Sequence, residues 1–119
     1  MLQFITSRLK AFIYARDGLV DLLVNHEPVK VHLMAIAVAL GTAWYLEFPT
    51  WKWVAFIGCI GFTITTEALN TGIEYVVDLV SPEYHELAGK AKDVAAAAVL
   101  VSGLTALTVY VLLVWDAVG

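Results

Sequence analysis

The chain has 119 residues, of which 61% are apolar and 15% charged, with a mean hydropathy of +0.80. A soluble domain is roughly 45–50% apolar and about 25% charged, so this balance excludes an ordinary soluble protein, and the length allows one domain at most. The formal net charge of −4 describes the chain poorly, because acids and bases are segregated along it.

Met1-Leu2-Gln3-Phe4 offers no basic segment ahead of an apolar one, and Arg8, Lys10 and Arg16 interrupt the next residues, so no cleavable signal peptide is expected. Over residues 3–24, Phe4, Leu9, Phe12, Ile13, Leu19 and Leu23 recur at helical spacing among Arg8, Lys10, Arg16, Asp17 and Asp21. That pattern predicts an amphipathic helix. The apolar spans further along the chain favour a helix lying on a membrane surface over a soluble one. Asn25-His26-Glu27-Pro28 should break it, since proline suits a first helical turn and disfavours helix at the preceding residue.

A first membrane span is expected over residues 29–46, apolar except for Lys30 and His32 at its start. It is short for a hydrocarbon core that needs about 20 helical residues, so its flanks must snorkel. Residues 47–52 read as a tight turn, with Trp44, Tyr45, Trp51 and Trp53 forming an interfacial aromatic belt. The second span, residues 51–80, is long enough to project from the bilayer at its carboxylate-bearing end. Gly58 and Gly61 are expected at close helix crossings, and the single cysteine, Cys59, as small apolar packing. Ser81-Pro82 breaks the helix, a short polar helix is expected over residues 83–91, and a third span over 93–115. Six of the seven basic residues flank one side, Lys52 alone the other. The positive-inside rule makes that side cytoplasmic and places the N-terminus inside.

Within the second span, Glu67, Asn70, Glu74 and Asp78 fall inside about 80° of one helix face. Charged groups at such depth face a bundle interior or a water-filled site. The ladder alone admits three readings: a polar seam between helices, a path for protons or cations, or a hard-metal site of the kind Mg²⁺ forms from one or two carboxylates plus substrate phosphates. Lys92 and Asp93 at the head of the third span, and Glu83-Tyr84-His85 in the loop, add weight to the last. A lysine beside carboxylates can clamp phosphate, and phosphoryl transfer needs chiefly positioning and charge neutralisation. A conduit would need polar groups along residues 54–62, where only Gly58, Cys59 and Gly61 interrupt large apolar residues. No glycine-rich phosphate loop and no Cys/His metal cluster is present.

The stretch EALNTGIEYVVDLVSPEYHELAGKAKDVAAAAVL, residues 67–100, resembles the signature of the small bacterial membrane lipid kinases, the prokaryotic diacylglycerol kinase and undecaprenol kinase family. The matching residues are Glu67, Asn70, Thr71, Ile73, Glu74, Val76, Val77 and Asp78, then Glu83-Tyr84-His85, then Ala91-Lys92-Asp93, with Phe12, Ala15 and Gly18 in the first helix. The resemblance covers essentially the whole chain, as one domain over residues 1–119. It implies an all-α integral membrane protein with a surface helix and three transmembrane helices, a homotrimer in the bacterial cytoplasmic membrane with its active site on the cytoplasmic side. It further implies ATP as co-substrate, Mg²⁺ as cofactor, a lipid alcohol as acceptor and no nucleic-acid partner.

Carried over by the resemblance, Glu67 is the general base, with Asn70 ordering the same site. Tyr14, Glu74, Asp78, Glu83, Tyr84, His85, Lys92 and Asp93 bind nucleotide. Glu74 and Glu27 are metal ligands, Glu27 by a one-residue departure: the family's second ligand falls about eight residues after Gly18, where this chain has His26. Glu27 is preferred because Mg²⁺ takes carboxylate oxygen over imidazole. VDLVSPEYH at residues 77–85 and His32-Leu33 favour undecaprenol as acceptor, whereas Glu-Leu-Ala-Gly-Lys at 86–90 lies nearer the diacylglycerol branch. A helix bundle that kept the fold without the chemistry is the distant alternative.

Overall fold

A computed structural model describes all residues, 1–119. All of the regular structure is helical: α1 (Leu2–Asn25), α2 (Glu27–Tyr45), α3 (Thr50–Val80) and α4 (Glu86–Val118). Three of these, α2, α3 and α4, are long and apolar enough to cross a membrane. Contacts divide the chain into two units, Met1–Met34 and Ala35–Gly119.

In the first unit, α1 ends at His26 in extended backbone. Pro28 is the second residue of α2, where a missing N–H breaks no helical bond. The apolar Phe4, Leu9, Phe12 and Ile13 are exposed, as are Arg8, Lys10 and Arg16.

In the second unit, the end of α2 is closed by a Schellman motif. Glu47 N–H donates to Trp44 O at 3.1 Å, and Phe48 N–H to Ala43 O at 3.1 Å. Glu47 occupies the left-handed position with φ 51°. The motif turns Phe48 inward, where it joins Ala43, Phe56 and Leu113 in the apolar core. Aromatic rings continue that core from Phe48 to Trp53, Phe56 and Tyr110, with centroids 5.6–6.3 Å apart. Lys52 is buried at this end, 3% exposed. Its Nζ donates to Leu113 O at 2.8 Å and pairs with Asp116 Oδ2 at 2.7 Å.

Two expectations need correction. The polar segment at 83–91 is no separate helix: residues 81–85 are non-helical, and α4 then runs unbroken for 33 residues. Nothing in Ala-Gly-Lys-Ala-Lys-Asp stops a helix, since Ala and Lys are strong helix formers and a lone Gly costs only about 1 kcal/mol. Polarity there marks an apolar boundary rather than a helix boundary. Within the single chain Gly58 and Gly61 sit at no close crossing; a Cβ built at either meets nothing within 4 Å.

Candidate active site

α3 packs on α4 within the second unit, and its buried residues form two groups: Lys52 and Phe56 at the aromatic end, then Thr63, Thr66, Glu67 and Thr71. The second group recurs at i, i+3, i+4 and i+8, the spacing of a core-facing stripe, yet every member is polar. Glu67 is 5% exposed. Asn70 and Glu74 continue this face, and Asn70 Nδ2 donates to Glu74 Oε1 at 3.2 Å across one turn. Asn70 Oδ1 is buried and accepts no hydrogen bond.

One further turn on, Asp78 and Lys92 form an ion pair that joins α3 to α4. Glu67 to Asp78 is eleven residues, about 16 Å along the helix. The face therefore runs from a buried carboxylate to a half-exposed charge pair near the end of α3. Beside it, α3 and α4 enclose an open groove of about 600 Å³, with Leu69, Ile73, Leu87 and Val94 among its walls and Thr66, Asn70 and Lys90 as its polar members.

The loop residues are placed differently. His85 Nδ1 accepts from Leu87 N–H at 3.1 Å and so caps the N-terminus of α4. Glu83 O accepts from Ser81 Oγ at 3.0 Å. Tyr84 is 91% exposed and Asp93 is exposed. Glu86 pairs with Lys90 at 3.2 Å. In the first unit Tyr14 is exposed and Glu27 is paired with Lys30 at 2.6 Å.

No three His, Cys, Asp or Glu side chains converge to hold a metal on their own. The donors at Asn70 and Glu74 are nevertheless oxygens, one of them buried and accepting nothing. That chemistry suits a hard cation that arrives with phosphate oxygens and takes one or two carboxylates from the protein.

The interhelical roles of Thr66, Ser102 and Lys52 are not predicted by the sequence. Thr66 Oγ1 and Ser102 Oγ lie 2.7 Å apart across the α3–α4 interface. Thr63 and Thr66 were legible as an upstream extension of the Glu67–Asp78 stripe; Ser102 and Lys52 carry no local signal, because what buries them comes from another helix.

The model of the family described as prokaryotic diacylglycerol kinase matches residues 13–114. The chain belongs to that family. It is 33% identical over 114 residues to a diacylglycerol kinase of Escherichia coli K12, covering 96% of this chain and 93% of that one. To the undecaprenol kinase of Bacillus subtilis it is 34% identical over 92 residues, covering 77% and 75%. To a diacylglycerol kinase of Helicobacter pylori it is 32% identical over 92 residues, covering 77% and 72%. This is a family of lipid kinases, and membership together with three span-capable helices makes the chain a bacterial membrane protein.

Proposed function

We propose that this chain transfers the γ-phosphoryl group of ATP, taken as its magnesium complex, to the hydroxyl of a membrane lipid alcohol, on the cytoplasmic side of the membrane. The observation that carries this reading is the polar face of α3, with buried Glu67 at one end and the Asp78–Lys92 pair at the other. A free alcohol is a poor nucleophile, and a carboxylate within hydrogen-bond reach of it accepts the proton as the new O–P bond forms and the bond from the γ-phosphorus to the departing ADP breaks. Glu67 takes that part. It lies deep enough in an apolar helix to meet a lipid headgroup rather than a water-soluble alcohol. Asn70 orders the same turn through Glu74.

Glu74, with Glu27 as second ligand, would hold the Mg²⁺, whose chemistry there is to neutralise charge on the phosphates. Lys92, held by Asp78, is placed to exchange that partner for a phosphate oxygen. Tyr14, Glu83, Tyr84, His85 and Asp93 complete the nucleotide contacts. The groove beside Asn70 offers apolar walls to the first carbons of the lipid. α1 lies on the membrane surface, and the working enzyme is a homotrimer.

Two acceptors have specific support. Val77 to His85 and His32-Leu33 favour undecaprenol. The long match to the Escherichia coli diacylglycerol kinase, together with Glu86 to Lys90, favours diacylglycerol. Radiolabelled ATP supplied with Mg²⁺ to the protein in mixed micelles, with each alcohol in turn, tests both. Label appearing in a lipid phosphate supports the kinase reading, and the higher kcat/KM names the acceptor. Label in neither lipid sinks it.

A further inference from the structure

We infer that Thr66 and Ser102 are positioning residues for Glu67, their hydroxyls forming a clasp between α3 and α4 that fixes the turn of α3 on which the proton acceptor sits. The inference rests on the lipid-kinase reading and adds two residues to it.

Ser102 is 0% exposed and Thr66 7%. A hydroxyl buried in apolar surroundings is costly unless hydrogen-bonded, and these two find each other at 2.7 Å. Thr66 Oγ1 also lies 2.8 Å from Thr63 O, and Ser102 Oγ 2.9 Å from Val99 O. Each hydroxyl has one proton and can accept twice, so two protons serve three contacts. Whichever oxygen donates across the interface weakens its tie to its own helix. The cross-helix bond is therefore made at the expense of a bond within one helix.

Its place on α3 gives it leverage. Two other polar ties between these helices, Lys52 to Leu113 O and Lys92 to Asp78, meet α3 fifteen and eleven residues from Glu67. Thr66 is the adjacent residue. Its Oγ1 lies 2.8 Å from Thr63 O one turn back on the same helix, so the position of its oxygen reports the rotation of α3 about its own axis. A rotation of about 10° moves a side-chain tip, at a radius of about 5–6 Å, by roughly 1 Å. A misplacement of that size at a reacting group costs on the order of a hundredfold in rate.

The test uses the full chain in lipid micelles, with Thr66→Val, Thr66→Ser, Ser102→Ala and the double variant Thr66→Val/Ser102→Ala. Two readouts are taken: kcat and KM for ATP, and the ¹³C-carboxyl resonance of Glu67, assigned by its loss in Glu67→Gln. Thr66→Val and Ser102→Ala should each lower kcat by about ten- to a hundredfold with KM for ATP within about twofold. The double variant should be no worse than the worse single, because both break the same cross-helix contact. Thr66→Ser keeps the hydroxyl and should restore kcat to within about threefold and leave the resonance in place. An unchanged kcat in Thr66→Val, a stationary Glu67 resonance, a Thr66→Ser as poor as Thr66→Val, or single effects that multiply in the double variant would each overturn the clasp. If wild type phosphorylates neither lipid while the Glu67 resonance still moves in Thr66→Val, the kinase reading fails and the clasp stands.

Discussion

Replacing Lys52 by methionine removes a buried ammonium while keeping most of the volume of its stem. Lys52 Nζ has two oxygen partners, Leu113 O at 2.8 Å and Asp116 Oδ2 at 2.7 Å, and two ring centroids, those of Phe48 at 5.2 Å and Trp51 at 5.4 Å. A hydrogen bond to a charged group contributes about 1.5–3 kcal/mol, and a partly exposed cation–π contact about 0.5–1 kcal/mol. Asp116 is 65% exposed, so solvent screens the ion pair to at most about 1 kcal/mol. Against these stands the desolvation of an ammonium that is 3% exposed, which takes back several kcal/mol. The balance gives a loss of about 2 kcal/mol for Lys52→Met and about 1 kcal/mol for Asp116→Asn, with a coupling of about 0.5–1 kcal/mol in the double-mutant cycle. Denaturant unfolding in micelles, followed by tryptophan fluorescence, measures all three. Lys52 lies fifteen residues from Glu67, about 22 Å along α3, so kcat of folded Lys52→Met should match wild type. A Lys52→Met chain as stable as wild type or more so would show that desolvation outweighs the two bonds, and the reasoning fails.

Glu74→Gln should raise the Mg²⁺ concentration for half-maximal rate by about tenfold or more, since even groups behind a metal ligand are worth 10–100-fold in affinity; a Mg²⁺ titration of activity reads this, and an unshifted midpoint removes Glu74 from the metal. His85→Ala should cost about 1 kcal/mol through loss of the α4 cap, and His85→Asn should recover most of it. If His85 also meets the nucleotide, His85→Asn recovers stability but keeps a raised KM for ATP; a KM equal to that of wild type confines His85 to capping.

Most of the fold is legible because the chain is punctuated by strong breakers. Pro28, Pro49 and Pro82 stand at or next to every helix junction, and apolar length does the rest. The join between residues 83–91 and the third span escapes the pattern because a helix ignores where the apolar boundary falls, so polarity there does not mark its end. Within the site, the Glu67–Asp78 stripe follows from helical periodicity, and the Asn70–Glu74 bond is the i, i+4 contact that periodicity implies. The Asp78–Lys92 pair, the Thr66–Ser102 contact and the burial of Lys52 are tertiary facts between α3 and α4 that no local pattern encodes. His85 shows the converse: a residue that suggests chemistry in sequence has a local duty as a cap.

The most direct test of the central claim compares wild type with Glu67→Gln, a near-isosteric change that removes only the proton-accepting charge. Turnover of lipid alcohol and binding of Mg·ATP are measured on the same micellar samples. The account predicts that Glu67→Gln loses at least about a hundredfold in kcat, the scale of a general base, while its affinity for Mg·ATP stays within about twofold of wild type. A Glu67→Gln enzyme that phosphorylates the lipid at the wild-type rate would contradict it.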